Sequence, residues 1–147
     1  MTYSKKQIGW IFLLLMAAIC ILFFIVFENG NIDQTTFYIV IISCIIASLL
    51  FYQLRVTVCG KTLNLVYGIG LIRIKKGLDE LQNVEVIKTP WYYGILIRIT
   101  DKGMLYNIQG LKAVRIMYIK NGEKKFFMVG TPEPERLKKT IEENFEF

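Results

Sequence analysis

Residues 55–147 contain neither serine nor histidine. A hydroxyl or thiol nucleophile activated by imidazole cannot be assembled from them. The three cysteines, Cys20, Cys44 and Cys59, show no zinc-site spacing and no disulfide framework. Cys20 and Cys44 fall within apolar runs, and Cys59 stands beside a glycine turn, where it reads as a strand residue. Asp79-Glu80 and Glu142-Glu143 are adjacent acids in segments that read as helical turns, so their carboxylates diverge instead of sharing a proton. Gly68-Ile69-Gly70 sits between two strand patterns, with no helix N-terminus to hold a phosphate. No catalytic, cofactor or metal set is expected, and the chain reads as non-enzymatic.

Three groups of residues have the chemistry for binding. Arg73, Lys75 and Lys76 form a basic strand end. They either protect an exposed sheet edge by charge or touch anionic lipid. Trp91, Tyr92 and Tyr93, between Pro90 and Gly94, either plug one end of a β core or form a partner-binding or membrane-dipping loop. Lys120, Lys124 and Lys125 flank Asn121-Gly122 and read as a hairpin tip, solvated or binding.

The elements that must carry these groups begin with two apolar runs. Ile8 to Phe27 is 20 residues without a charge, and Phe37 to Leu54 is 18 residues with Gln53 as the one strongly polar side chain. A 20-residue helix spans about 30 Å, the thickness of a bilayer's hydrocarbon core. The run is long for a secretory signal, and VFENGN offers no cleavage site, so the first helix is expected to stay. The loop ENGNIDQTT carries Glu28 and Asp33 and no base, whereas Lys5 and Lys6 precede the first run and sixteen bases follow the second. Basic flanks stay on the cytoplasmic side, which puts the loop outside and both termini inside. Small residues are expected to line the helix contact: Ala17, Ala18 and Cys20 against Ser43, Cys44, Ala47 and Ser48.

After Leu54 the apolar period becomes two. Leu54, Val56 and Val58, then Leu63, Leu65 and Tyr67, then Ile72 and Ile74, alternate with polar neighbours. LDELQ reads as a single helical turn. Val84 and Val86, then Ile95, Ile97 and Ile99, then Val114, Ile116 and Tyr118 continue the strands, with a short extra one possible over Leu105–Ile108. Asn121-Gly122 is a type I′ hairpin turn, followed by Phe126 and Met128. Thr131 is read as the N-cap of a final helix with Pro132 at its first position, and Leu137, Ile141 and Phe145 give it one apolar stripe. About seven strands and a closing helix are expected. Sixteen bases against ten acids leave this part positively charged, but the bases are scattered, which argues against nucleic acid.

Four stretches carry a resemblance: TLNLVYGIGLIRI, WYYGILIR, YNIQGLKAVRI and the ending GTPEPERLKKTI. Together they resemble the bacterial pleckstrin-homology-like domains found behind one or two transmembrane helices, over about residues 55–145. Phosphoinositide-binding members carry a basic pocket between their first two strands; here the corresponding loop is taken to be Gly60-Lys61, with no basic cluster.

The expected architecture is therefore α+β. Residues 1–54 form a transmembrane helical hairpin, with helices of about 8–27 and 37–54 and an external loop of 28–36. Residues 55–147 form a cytoplasmic PH-like sandwich or barrel closed by a C-terminal helix. The expected function is a membrane-anchored module binding a protein partner, a second copy or another membrane protein; the alternative is binding or sensing an anionic membrane surface. Membrane lipids surround the helices, and no small-molecule substrate is evident.

Overall fold

The computed structural model describes residues 2–78, 80–93 and 96–145. Asp79, Gly94 and Ile95, which carried parts of the expected turn, loop and strand, lie outside them. The chain is α+β, with two sheets, two long apolar helices and a C-terminal helix.

Residues 2–8, expected as a polar tail, form the first strand, β1 (Thr2–Ile8). Helices α1 (Trp10–Glu28) and α2 (Gln34–Phe51) follow, then β2 (Gln53–Cys59). β1 and β2 pair antiparallel, from Thr2 opposite Cys59 to Ile8 opposite Gln53. The helical hairpin is thus inserted where a β-hairpin turn would stand. Ile8, Gln53 and Leu54 belong to strands, not helices. Leu54 is fully buried and pairs with Tyr67, because its period-two neighbours Val56 and Val58 face the same core.

Both helices are long and apolar enough to cross a membrane, and only 6% of each span is buried by the rest of the chain. That exposure of Leu14, Leu22, Ile42 and Ile46 is compatible with insertion and unlike a buried core hairpin. The two run antiparallel: Phe27 stacks on Phe37 at 4.6 Å beside the loop, and Phe12 meets Phe51 edge-on at 6.1 Å at the other end. Asp33 caps α2, accepting from the Thr36 N–H at 3.0 Å and from its hydroxyl at 2.6 Å. Of the small residues expected at the contact, Cys20 and Cys44 meet, whereas Ala18 and Ser43 are exposed. A short bifunctional thiol reagent applied to membranes should therefore bridge Cys20 to Cys44 within one chain and leave Cys59 free. Intact mass after proteolysis reads this out; bridges between chains in its place would show a different helix pairing.

β3 (Thr62–Tyr67) and β4 (Ile72–Gly77) complete a four-stranded meander, β1-β2-β3-β4. The second sheet comprises β5 (Glu80–Lys88), β6 (Ile97–Thr100), β7 (Gly103–Tyr106), β8 (Lys112–Lys120) and β9 (Glu123–Gly130), in the order β5-β8-β9-β7-β6. Only β7 on β9 is parallel among the described pairings. The expected LDELQ turn is replaced by the start of β5, with an irregularity between Leu81 and Asn83. The Asn121-Gly122 turn is present, with φ of 55° and 78°. Gly60-Lys61 joins β2 to β3, so it is not the loop between the first two strands of the sheet; the helical hairpin is.

Leu54, Val56, Leu65 and Tyr67 from one sheet meet Val84, Ile116, Phe127 and Val129 from the other in a single core. The inward residues of β9 are Phe127 and Val129, one step off the expected set. Phe126 is exposed, and Met128 joins Leu105 and Ala113 in a small second cluster. Helix α3 (Pro134–Phe145) lays Leu137 and Ile141 on the core, with Phe145 partly buried beside them. Its first residue is Pro134, and the Leu137 N–H bonds Glu133 O, so Glu133 occupies the cap position expected at Thr131. The Thr131 hydroxyl accepts from the Glu133 N–H at 3.3 Å, just ahead of the helix, and also meets the buried Tyr3 hydroxyl at 2.8 Å.

Lys5 donates to Glu133 at 2.6 Å, joining β1 to the start of α3. That ammonium holds the Glu133 carboxyl below its usual range, and Arg115 does the same for Glu85 across β5 and β8. A carboxyl with a lowered folded pKa stabilises above its unfolded pKa, and the gain is lost as pH falls through the folded value. Thermal midpoints should thus be flat from neutral to about pH 5 and fall below about pH 4. Glu133→Gln should shrink that acid-side fall; an unchanged profile would leave the clasp without a role in acid stability.

Candidate functional site

The strands give the domain two ends. At the helix end, the Gly9 N–H donates to Tyr52 O at 2.8 Å, where β1 turns into α1 and α2 into β2. The β3–β4 turn lies against α2: the Gly68 N–H bonds Gln53 O at 2.9 Å, and the Ile69 N–H bonds Leu49 O at 3.1 Å. The β7–β8 loop lies against α1. The Gln7 amide donates to Gln109 O at 2.7 Å, and Gln109 Oε1 accepts from the Ile11 N–H at 3.4 Å. Strand β8 then runs nine residues to the opposite end, about 30 Å away.

The nine residues marked in the sequence do not form one surface. Arg73 stays at the helix end, where its Nε donates to Gly70 O at 2.7 Å. Two positions further along β4, Lys75 points to the open face of the first sheet. Lys76 points inward and lies over the rings of Tyr106 and Phe127 at 5.9 and 5.8 Å. At the far end, Lys75 and Lys76 are brought beside Lys120 in a cleft of about 200 Å³ completed by Gly77, Tyr118 and Ile119. Lys124 and Lys125 stand opposite Ile119 and Tyr118 on the neighbouring strand, with Lys125 3.7 Å from Glu123. Two of the marked groups thus converge where, among the described residues, no carboxylate lines the cleft.

The aromatic group divides. Trp91–Tyr93 forms a single 3-10 turn after Pro90. Tyr93 packs toward the small cluster of Leu105, Ala113 and Met128 and donates to Asp101 at 2.9 Å, a bond that raises its pKa. Trp91 and Tyr92 do not plug the core: they are 81% and 60% exposed. Their place is the helix end, because the Thr89 N–H two residues earlier bonds Leu111 O at 2.8 Å in the loop that brackets α1.

Lys6 and Arg55 were not among the marked residues. They stand opposite each other on β1 and β2, Arg55 opposite Val66, and Val66 opposite Arg73. Lys6, Arg55 and Arg73 therefore form one basic row across the open face of the first sheet, just beyond the helices. The legible signal was the distribution of acids: up to residue 78 the only ones are Glu28 and Asp33, both next to the helix–helix loop. The strand pairing that gathers the bases was not legible. Among the described residues no cluster of metal-ligating side chains forms.

No family profile, curated protein or solved structure matches this chain.

Proposed function

We propose that the chain is a membrane-anchored, non-enzymatic interaction module of pleckstrin-homology-like type. It sits on the cytoplasmic face of the inner membrane with both termini on that side, and it binds a protein partner, itself a membrane neighbour, that offers an acidic segment. The observation that carries this reading is the far-end cleft of Lys75, Lys76 and Lys120. Its Lys120 side lies a strand length from the helices, and it joins a side chain held over two rings to two exposed ammonium groups. Such a cleft favours carboxylates presented by another chain.

The PH-like assignment is supported by a four-stranded meander facing a second sheet, with α3 closing the core between them. It departs from the expected plan in one respect, since the first strand precedes the membrane hairpin. The orientation is supported by the bases of β1 and β2 next to both helix ends, against two acids at the opposite loop.

The test is affinity purification of the full chain from solubilised membranes, with Lys75→Glu/Lys120→Glu in parallel. A protein retained by the wild-type chain and lost with the variant is expected. Equal recovery with both, or no retained protein, overturns the reading. A tag after Phe147 should resist protease added outside intact cells; its cleavage would reverse the orientation.

A further inference from the structure

The helix end of the β-domain carries exposed apolar groups and an acid-free row of bases at a depth fixed by hydrogen bonds to the helices. Leu49 lies in the last turn of α2, two residues before its end. Because its carbonyl accepts from the Ile69 N–H, the β3–β4 turn reaches back alongside the apolar helix and does not merely stand above it. Ile69 and Leu71 flank Gly70 there, 57% and 72% exposed. Gly68 permits the approach: it has φ of +53°, and a Cβ on it would lie 2.2 Å from the Leu49 and Leu50 carbonyl oxygens. On the α1 side, Trp10 and Leu111 are likewise exposed beside the Gln7–Gln109 contact.

Directly beyond this apolar rim come Lys6, Arg55 and Arg73. The strands β1–β4 contain no Asp or Glu at all, so nothing on that face neutralises the row. Arg55 and Arg73, with Lys75 of the next row, line a shallow cleft of about 370 Å³ over Asn64 and Val66. An apolar tip at helix depth with guanidinium groups one step above it has the layering of a lipid monolayer: chains, then phosphates.

We propose that this end of the domain is a lipid-binding surface for the leaflet the helices emerge from. The β3–β4 turn inserts Ile69 and Leu71 at the level of the chain–headgroup boundary, and Lys6, Arg55 and Arg73 hold the phosphates of anionic phospholipid. The domain is seated on the bilayer and is not suspended above it. This rests on the membrane-anchored half of the function proposed above; Lys75 borders both clefts, and the phosphate contact is assigned to Lys6, Arg55 and Arg73 alone.

The full chain in nanodiscs, with spin-labelled phosphatidylglycerol and phosphatidylcholine as probes, tests the row. The wild-type chain should restrict the anionic probe with a preference of about threefold or more. Lys6→Gln/Arg55→Gln/Arg73→Gln should bring the ratio to about one, and Lys120→Gln/Lys124→Gln at the far end should leave it unchanged. No wild-type preference, or a preference that survives the triple change, overturns the phosphate contact. For the turn, an environment-sensitive fluorophore at Ile69→Cys, with Cys20, Cys44 and Cys59 replaced by alanine, should be quenched by lipid-borne quenchers and shielded from aqueous ones. The reverse overturns insertion. A label at Leu14→Cys in α1 separates the cases: quenched there but not at residue 69, the helices are in the bilayer and the seating is wrong; quenched at neither, the anchoring itself fails.

Discussion

A chain in which residues 10–51 are replaced by Asn-Gly is expected to be a soluble, cooperatively folding β-domain, whereas residues 53–147 alone are not. The Gly9 N–H already bonds Tyr52 O at 2.8 Å, so a two-residue type I′ turn can close the strands that the helices now separate. Without β1 the first sheet loses seven paired positions and the core loses Tyr3, which is 2% exposed and bonded to Thr131. Truncating a buried aromatic costs about 3–5 kcal/mol, on the scale of a small domain's total stability of about 5–15 kcal/mol. The Lys5–Glu133 contact to α3 goes with it. Circular dichroism melts and amide dispersion in NMR spectra distinguish the two chains. A cooperative transition at the same midpoint in residues 53–147 would show that β1 is dispensable.

Gly68→Val should be the most damaging single change at the junction of helix and sheet. The backbone there is left-handed, with φ of +53°, where a β-branched residue is strained. Its Cβ would lie 2.2 Å from two carbonyl oxygens and 2.4 Å from the Leu50 carbonyl carbon, all backbone atoms that no rotamer change can move aside. Relief requires separating the β3–β4 turn from α2, which breaks the Ile69–Leu49 hydrogen bond and disturbs the packing of Phe51 on Tyr67 at 6.0 Å. A loss of about 3 kcal/mol or more is expected. Gly60→Val is the control, since it shares the left-handed backbone, with φ of +54°, but meets nothing within 4 Å. Thermal unfolding in detergent, followed by protease sensitivity at the turn, compares them. Equal losses would mean that backbone strain alone matters and the close approach does not.

The parts legible in the sequence were those where one physical signal dominates. The helices follow from hydrocarbon length, the Asn121-Gly122 turn from its positive φ angles, and the α3 stripe from Leu137, Ile141 and Phe145. Strand β1 was illegible because its inward positions are not apolar. Tyr3, Lys5 and Gln7 each end in a polar atom that bonds far along the chain, to Thr131, Glu133 and Gln109. Alternation cannot show a strand whose core side is satisfied in this way. In β9 the difficulty was the opposite: Phe126, Phe127, Met128 and Val129 are all apolar, and the small cluster around Leu105 gives Met128 a reason to face away from the main core. The start of β5 was hidden because buried Leu78, which precedes the strand, and Leu81 within it stand at a helical spacing.

The far-end lysines were visible as separate groups, but their meeting depends on β4 and β8 ending together, a pairing between different sheets that no local pattern encodes. The basic row depends in turn on β1, so missing that strand concealed Lys6 and left Arg55 without neighbours. The aromatic turn was visible as a cluster, and its division into an anchored Tyr93 and exposed Trp91 and Tyr92 came from Asp101, eight residues beyond the tyrosine.

Because β1 leaves the ribosome before the two helices and its partner β2 only after them, the order of synthesis imposes an order of assembly. The nascent first strand has to wait, unpaired, while both hydrophobic segments are synthesised. Only then can the meander zip up across the gap. On the membrane-anchored function proposed above, completion of the sheet would follow insertion of the helices, and a chain whose β1 stayed unpaired would leave the edge of β2 open.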